Sequence, residues 1–563
     1  MHGFCRVALA AVMAFGPMSA LAHPFTLDDY FRLEALGQAA IAPDDRSIVF
    51  ERQGPIPSAA SFEHDYFNRM LRSEILLATT GAGEVRRLLP AEAGTGHLIG
   101  SWSPAGSRLL VYRLFGRRFS AGVVDPDSGE AVWLDGTPEL AGWGRAAAWL
   151  GEDQLLLLMR PDDDPPFLLS AWEAGDRLTR QWALTAEGRQ PSRTLIGSGA
   201  FQDLTPTAGA LRLVRFDLRT GQSRTLAEGA FYDLEVSPDG RFVALAAYGE
   251  TLPVDLAVPF LQGQYPQRRQ LTIVDLQTGE EWSPDSEGDL APGLLAWSPR
   301  GDRLLVLMRH KGEDWADGRV EVIDPHMRRC ESLDLADWRP TIIQSPLRTP
   351  MAAADWLGET PVVWAHQTGG RSDWIQIASP GARPLTADMA AAGSSLAAIA
   401  PDHLVVKSGQ DLWRVGPEDA PQRLGRAPPQ AWSPFGYLVS QGQRFQYNHA
   451  PRRDWVLAER DGLWSRVRIG ASETFGEALK PEGRVAALTA TRRLGPEGED
   501  VDAVVRLTVV AQWPGGEAAG GPGAGPGSDA GFQVGENEGG DFRVKIGASG
   551  GAGARHGGLR ENL

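Results

Sequence analysis

The strongest pattern in this sequence is a short polar turn followed by an unbroken apolar run. In "AWSPRGDRLLVLMRH", from Ala296, proline and glycine occupy the turn and "LLVLM" follows it. Proline presets φ for a turn, glycine or aspartate accepts the next backbone angles, and an apolar run of this length is typical of a buried strand. We call this the turn–strand motif. Its eight copies begin at Ala40, Ser101, Ala148, Glu235, Ala296, Asp355, Ala398 and Ala431.

A second pattern lies between the copies and predicts a hairpin. "DPDSGEAVWL" from Asp125, "DLRTGQSRTL" from Asp217 and "DLQTGEEWSP" from Asp275 share it, with "TTGAGEVRRLL" from Thr79 as a looser version. Each has turn residues between an apolar strand and a more polar strand. Turn–strand, strand, hairpin and strand together make one four-stranded antiparallel blade.

The repeat predicts an all-β protein, a β-propeller of seven or eight blades over residues 40–470. The spacing of the motif is uneven, about 35 to 90 residues, and includes the 40–50-residue periods of propeller blades. A series of β-sandwiches also has short strands and turns, but it does not repeat one motif at one place in each unit. Five tryptophans precede the turns, and we expect them to pack between blades rather than to stack on a ligand: Trp102, Trp149, Trp297, Trp356 and Trp432.

The N-terminal segment, residues 1–22, has the pattern of a secretory signal, with a buried helix as the alternative. One arginine precedes an apolar run over residues 7–15, and Ala20 and Ala22 form the small-residue cleavage site. Cleavage after Ala22 predicts a periplasmic or secreted protein with Cys330 as its single cysteine, and so without an internal disulfide. No later apolar run reaches the 18 residues of a membrane span, so none is expected.

Residues 23–39 predict a short N-terminal helix packed on the rim of the propeller. In "FTLDDYFRLEALG", Thr26 stands three residues before Asp29, as in a capping box. Tyr30, Leu33 and Leu36 then share one helical face.

The charge of the chain excludes one class of partner. The formal net charge is −16 and the isoelectric point is about 5.2. A nucleic-acid surface needs clustered lysine and arginine, so nucleic acid is not expected.

The N-terminal helix, the "AIAPDDRSIVFER" turn and the "WSP.G..L" blades resemble the N-terminal half of the prolyl oligopeptidase family of serine peptidases, particularly its dipeptidyl-peptidase and acylaminoacyl-peptidase branches. They also resemble TolB-type propellers. The segment "RQWALTAEGRQPSRTLIGSG" from Arg180 is similar to one in lasso-peptide isopeptidases. The resemblance covers about residues 25–470 and implies an α/β-hydrolase domain after the propeller, with its nucleophilic serine on a G-x-S-x-G elbow.

The only G-x-S-x-G match lies 14 residues from the C-terminus and is not expected to be catalytic. Ser549 has only His556 and Glu561 after it, with no aspartate and no predicted helix to support an elbow. Residues 513–563 contain 17 glycines in 51 residues, which is typical of disorder. We interpret them as a disordered, frameshifted or truncated tail, with a natural flexible tail as the alternative. Residues 471–512 close the propeller or begin a truncated hydrolase domain.

Candidate binding residues are few. Arg117 and Arg118 in "FGRRF" and Arg452 and Arg453 in "HAPRRD" could meet a substrate carboxylate, although surface arginines are common in this chain. The acidic run 162–164 could bind a cation or an amine, or form a solvated loop. The histidine and cysteine spacing indicates no metal site, and no cofactor is expected.

Two functions remain open from the sequence. In the first, the chain is the substrate-screening propeller of a periplasmic peptidase acting on peptides, truncated before its hydrolase domain and inactive alone. In the second, it is a stand-alone TolB-like propeller that binds a peptide or protein partner at its channel face. Translating the DNA beyond codon 512 in all three frames separates them, because a serine elbow with downstream Asp and His in another frame favours the first.

Overall fold

The computed structural model describes about two thirds of the chain. The described residues are 26–43, 47–62, 64–79, 85–140, 144–161, 165–166, 169, 179, 182–189, 210–251, 267–284, 288–310, 313–344, 350–378, 381–390, 392–393, 396–427, 455–460, 463–469, 485–494, 500–510, 530–536 and 542–548.

The first four sheets are each built from four consecutive antiparallel strands. Blade 1 contains β1 (Ala35–Ile41), β2 (Ser47–Gln53), β3 (Ser73–Thr79) and β4 (Val85–Arg87). Blade 2 contains β5 (Thr95–Trp102), β6 (Leu109–Phe115), β7 (Arg118–Val124) and β8 (Ala131–Trp133). Blade 3 contains β9 (Ala147–Trp149), β10 (Gln154–Met159), β11 (Leu211–Asp217) and β12 (Gln222–Gly229). Blade 4 contains β13 (Phe231–Val236), β14 (Phe242–Thr251), β15 (Gln267–Asp275) and β16 (Glu281–Trp282).

Blades 5 and 6 differ in having an interrupted first strand. Blade 5 contains β17 (Asp289–Leu290) and β18 (Ala296–Trp297), which both pair with β19 (Leu304–Arg309), then β20 (Arg319–Asp324) and β21 (Arg329–Ser332). In the next segment come β22 (Trp338–Pro340), a separate hairpin of β23 (Ile343–Gln344) and β24 (Pro350–Met351), and β25 (Ala354–Leu357). Both β22 and β25 pair with β26 (Thr360–Gln367), and β27 (Ser372–Ala378) and β28 (Gly381–Pro384) complete blade 6.

The last described strands form blade 7 and an eighth sheet. Blade 7 contains β29 (Leu396–Ile399), β30 (Leu404–Ser408), β31 (Asp411–Val415) and β32 (Gln422–Arg426), and β33 (Trp455–Arg460) and β34 (Leu463–Arg468) extend it. The eighth sheet contains β35 (Val485–Leu494), β36 (Asp500–Val510), β37 (Ala530–Glu536) and β38 (Phe542–Ala548). Because β35 approaches β1 and β38 approaches β4, this sheet lies beside blade 1.

Seven of the eight turn–strand motifs join the first strand of a blade to its second, so the apolar run of the motif is the second strand. The copy from Ala431 lies outside the described residues. In three copies the serine hydroxyl accepts a hydrogen bond from the backbone N–H five residues later, at 2.9–3.1 Å, and the motif glycine has φ between +71° and +79°. Only glycine adopts that angle freely, which explains the G of the motif. The glycines are Gly106, Gly240 and Gly301.

The second strand of each blade is apolar on both faces because two neighbouring blades cover it. In β6, Leu109 and Val111 pack against blade 1, whereas Leu110 and Tyr112 pack against blade 3. The same alternation recurs in β10, β14, β19, β26 and β30. Six of these seven clusters therefore join two consecutive blades, which is the radial packing of a propeller. The seventh lies within blade 7, between its first four strands and β33–β34.

The predicted tryptophans link the first strands of neighbouring blades. Each indole N–H donates to a backbone carbonyl in the first strand of the preceding blade. The acceptor is always the residue just before the one that occupies the tryptophan position of that blade. We call this contact the indole clasp. The bonds run from Trp102 to Ala40 (3.3 Å), Trp149 to Ser101 (3.2 Å), Trp297 to Glu235 (3.1 Å) and Trp356 to Ala296 (2.8 Å). Inter-blade packing is thus confirmed for these four, and Trp432 lies outside the described residues.

The propeller has two distinct faces. The turn–strand turns and the hairpins between third and fourth strands lie on one, which we call the turn face. The connections between second and third strands, and the links between blades, lie on the other, the connection face. Among the described residues, no helix is long and apolar enough to cross a lipid bilayer.

The N-terminal helix is shorter than the sequence predicts. Helix α1 spans Leu27–Arg32, and the Thr26 carbonyl accepts a hydrogen bond from the Tyr30 N–H at 3.1 Å. The expectation that Leu36 extends the helical face is wrong, because Leu36 lies in β1 and is paired with Arg52 of β2. A helix this short is marginal in water, and the strand ladder gives residues 35–41 more hydrogen bonds.

The C-terminal tail also departs from the prediction of disorder. Strands β37 and β38 lie within residues 513–563 and pair with each other and with β36. For these 14 residues disorder is the wrong prediction, because the alternating "FQV" and "FRVKI" segments can pair with β36, an apolar strand already in place. The glycine-rich residues 513–529 and Ser549 lie outside the described residues.

Candidate functional site at the inner strands

The first strands of blades 4 and 5, and the segment just before the first strand of blade 3, carry buried charged side chains near the connection face. Asp233 in β13 is 2% exposed. Its Oδ1 accepts hydrogen bonds from the backbone N–H of Arg145, at 2.8 Å, and from the Nε–H of the same residue, at 2.9 Å. The Arg145 guanidinium also forms an ion pair with Glu235. One arginine of blade 3 is therefore held between two carboxylates of blade 4.

This ion pair lies at a seam that lacks an indole clasp. Blade 4 has Val236 at the position of the tryptophan, so no indole reaches blade 3 from there. Gly144, immediately before the arginine, has φ +74°, and a β-carbon there would come within 2.5 Å of Asp233. The close approach of the two blades thus requires glycine at this position.

A second ion pair lies at the seam between blades 4 and 5. The Asp289 carboxylate accepts hydrogen bonds from Arg309 Nε and Nη2 at 3.0 and 2.8 Å, and from the Arg269 backbone N–H at 3.0 Å. The Arg309 guanidinium also lies 4.5 Å from the centre of the Trp315 ring. Both arginine nitrogens donate to Oδ2, and the backbone N–H donates to Oδ1, so both oxygens of the carboxylate are held in place.

Two tyrosines lie next to these pairs. The rings of Tyr232 and Tyr248 have centres 4.7 Å apart. The Tyr232 hydroxyl is buried and makes no hydrogen bond to a described residue. Burial raises the pKa of Tyr232 well above its usual value, although nearby Arg269 opposes the rise. The phenol therefore stays protonated at neutral pH and can donate a hydrogen bond.

This group of side chains, which we call the inner charge cluster, was not predicted from the sequence. Its members are Arg145, Tyr232, Asp233, Glu235, Tyr248, Arg269, Asp289 and Arg309. The signal was the alternation in "FYDLEV", where two acids interrupt a first strand that is small and apolar in most blades. Arg145 and Asp233 are 88 residues apart in sequence, and so no local pattern could pair them.

The cluster can bind polar groups, but it holds no nucleophile with a base. Elsewhere among the described residues, the Thr341 hydroxyl lies 3.0 Å from Nδ1 of His366 and 2.8 Å from the Ser372 hydroxyl. No carboxylate is bonded to that imidazole within the described residues, and an activated hydroxyl needs an oriented base. Within the residues that the structure describes, no three histidine, cysteine, aspartate or glutamate side chains come together as a metal site would need.

The residues predicted to bind substrate are only partly described. Arg117 lies in the β6–β7 turn and Arg118 begins β7, both exposed on the connection face. Arg452, Arg453 and residues 162–164 lie outside the described residues. The structure does not bring the two exposed arginines into the inner charge cluster, and their role stays a prediction.

No protein-family model and no curated protein matches this sequence. Among solved structures, a prolyl endopeptidase is 12% identical over 70% of this chain and 50% of that chain, with a TM-score of 0.36. The β-propeller domain of the Trilobed protease from Pyrococcus furiosus is 11% identical over 72% of this chain and 100% of that chain (TM-score 0.33). TolB from Acinetobacter baumannii is 13% identical over 62% and 81% (TM-score 0.25). The match thus spans half of the prolyl endopeptidase.

The sheets and seams described above establish the fold without these comparisons. Consecutive four-stranded antiparallel sheets pack face to face, and their first strands are linked to one another. The chain is a β-propeller protein.

Proposed function

We propose that this propeller binds peptides and screens them for a periplasmic serine peptidase of the prolyl oligopeptidase type. The observation that carries the proposal is the inner charge cluster near the connection face. Its Glu235 and Arg309 side chains remain 27% and 20% exposed, and its buried members hold them in place. A peptide offers charged termini and backbone N–H and C=O groups, which are the groups that such side chains recognise. The motifs that resemble the family support the same assignment.

In this proposal the propeller supplies recognition, and a hydrolase domain supplies the chemistry. The described residues contain no serine with a bonded histidine and acid, so peptide cleavage is not expected from them. Radial blades enclose a central channel, and a channel admits an unfolded peptide more readily than a folded protein. Residues 1–22 fit an export signal, which would place this recognition in the periplasm.

The test measures binding and cleavage together. Fluorescein-labelled peptides of different lengths are titrated with the protein, binding is followed by anisotropy, and the peptides are then examined by mass spectrometry. We expect saturable binding of peptides without cleavage. Binding that is absent for every peptide, or hydrolysis abolished by Ser549→Ala, would contradict the proposal.

A charge variant tests the predicted arginines. Arg118→Glu changes an exposed residue on the connection face, and we expect it to weaken the binding of peptides with a free C-terminal carboxylate by about tenfold. The control is Arg328→Glu, an exposed arginine on the turn face. Equal effects of the two changes would show that only the net charge matters.

A further inference from the structure

An exposed apolar strip runs across the connection face of blades 1 and 2. Nine large apolar side chains are exposed among the described residues, and six belong to this strip. They are Leu27 (66% exposed), Tyr30 (52%), Phe31 (36%), Leu33 (36%), Phe62 (62%) and Phe115 (56%). Single exposed apolar residues are ordinary, whereas a contiguous group marks an interaction surface.

The strip is continuous because three elements meet there. Helix α1 approaches the short 3₁₀ helix Ile56–Ser58, which begins the connection between β2 and β3. Ala60 lies further along that connection, and a β-carbon on Gly94, in the link between β4 and β5, would touch both Ala60 and Phe115. The His64 Nε2 also lies 2.7 Å from the Gly116 carbonyl oxygen, which fixes the connection against the β6–β7 turn.

The charges on α1 suggest what covers the strip. Asp28 lies at the N-terminal end of the helix and Arg32 at its C-terminal end, and both side chains are exposed. When two such helices lie antiparallel across a two-fold axis, the aspartate of each faces the arginine of the other. The pattern is thus complementary to itself. Phe31, three residues after Asp28, lies beside the charges on the same side of the helix, and Leu27 lies one turn before Phe31.

We propose that the strip is an isologous interface between two copies of this chain, with α1 packed antiparallel against α1 of the second copy. Asp28 of each copy pairs with Arg32 of the other, and Leu27, Phe31 and Phe62 bury the apolar contact. The proposal concerns assembly and does not depend on the peptide-binding function. Burial of these apolar side chains supplies most of the favourable free energy, and the charges set the orientation.

The test is a charge exchange followed by sedimentation equilibrium over a range of concentrations. We expect the wild-type protein to dimerise. Asp28→Arg and Arg32→Asp each place like charges against each other, so each alone should raise the dimer dissociation constant by at least about tenfold. An equimolar mixture of the two variants restores both pairs, and it should form a heterodimer about as tightly as the wild-type chain dimerises.

The mixing step separates this interface from an effect within one helix. A loss of helix stability in either variant would not be repaired by adding the other chain. Phe62→Ser, which changes an exposed side chain outside the helix, should also weaken the dimer. A wild-type monomer at all concentrations, variants that dimerise like the wild type, or a mixture that stays monomeric would each overturn the proposal. Binding of the strip to lipid vesicles by a monomeric protein would do so as well.

Discussion

At the scale of single residues, the tryptophan at each of four seams contributes both apolar burial and a hydrogen bond. Trp297 is 4% exposed, packs beside Phe242 with ring centres 6.4 Å apart, and donates its indole N–H to the Glu235 carbonyl. Burial and hydrogen bonding therefore meet in the same side chain. The two effects are separable by substitution.

We expect Trp297→Ala to destabilise the fold by about 3–5 kcal/mol, through lost burial and a cavity. Trp297→Phe keeps most of the buried apolar area but loses the indole hydrogen bond. It should therefore lower the free energy of unfolding by about 1 kcal/mol for that bond, with a further loss because the smaller ring packs less well. Chemical denaturation measures both. Trp513→Ala, within the predicted tail, should be nearly silent, and equal effects at the two positions would contradict the blade assignment.

The buried ion pair of the inner charge cluster should differ sharply from an exposed one. Asp233→Ala leaves Arg145 with one of its two carboxylates, and breaking a buried pair costs about 3–5 kcal/mol. Asp153, whose side chain is 38% exposed, forms an ion pair with Arg108, and Asp153→Ala removes it. Exposed ion pairs contribute about 0–1 kcal/mol to the free energy of unfolding. Urea unfolding compares the two variants. Similar losses would mean that the inner carboxylate is in effect solvated.

A buried histidine should make stability fall at mildly acidic pH. His97 is 4% exposed, and burial lowers its pKa, with Arg113 acting in the same direction and Glu92 and Glu74 opposing it. The unfolded chain therefore takes up a proton more readily than the folded chain. Stability is complete above the ordinary histidine pKa of about 6.5 and is lost as the pH falls through it.

His97→Gln removes that titration, so its melting temperature should change less between pH 7.5 and pH 5.5, a window set around the ordinary pKa of about 6.5. His310→Gln, at an exposed position, is the matched control. The prediction fails if the two variants show the same dependence on pH as the wild-type protein.

At the scale of elements, two forms of the turn–strand motif bind each other across seams. The "WSP" turn of blade 2 is followed by a "WLGE" turn in blade 3, and the same order recurs in blades 5 and 6. Glu152 of a "WLGE" turn accepts hydrogen bonds from Ser103 Oγ, the Ala105 N–H and Ser107 Oγ of the preceding turn. In the later pair, Arg303 donates to Glu359 at 3.1 Å.

We expect Glu152→Ala to cost about 1.5–3 kcal/mol, because hydrogen bonds to a charged acceptor are lost and the donors of blade 2 are left without it. Burial raises the pKa of Glu152, but the hydrogen bonds from Ser107 and Ser103 outweigh burial and lower it. The contact is therefore complete above the ordinary glutamate pKa and is lost as the pH falls below it. Glu331→Ala, at an exposed residue, is the control in thermal unfolding.

The elements were also the part most open to prediction from sequence. The hairpin between the third and fourth strands follows from local turn chemistry: in blades 2 to 4, Asp125, Asp217 and Asp275 each accept two backbone N–H bonds within their own turns. Backbone hydrogen bonds, first from Ser128 at Asp125 and from Thr220 at Asp217, hold the pKa of these two carboxylates below the usual range. At Asp275 burial acts to raise the pKa, but the bonds from Gln277 and Thr278 together with Arg241 outweigh it and lower the pKa. The limit of α1 was missed, because pairing with β2 decides where the helix ends.

At the scale of the whole molecule, the sequence predicted the architecture and missed what the seams bring together. A period in the sequence reveals a repeated blade because each blade solves the same local problem. The inner charge cluster depends on pairs such as Arg269 with Asp289 and Arg145 with Asp233, whose partners come from different blades. The eighth sheet was missed for a different reason. The glycine-rich composition of residues 513–563 indicated disorder, although two short segments within them alternate between apolar and polar residues and form β37 and β38.

The second strands, which are apolar on both faces, have a consequence for how the number of blades can change in evolution. Each seam is made from the same two surfaces, one face of a blade and the opposite face of the next. A duplicated blade therefore arrives with both of the contacts that it needs, and its neighbours keep theirs. Gene duplication can lengthen or shorten the ring by whole units without new interfaces having to evolve, whereas a change inside one second strand must satisfy two neighbours at once.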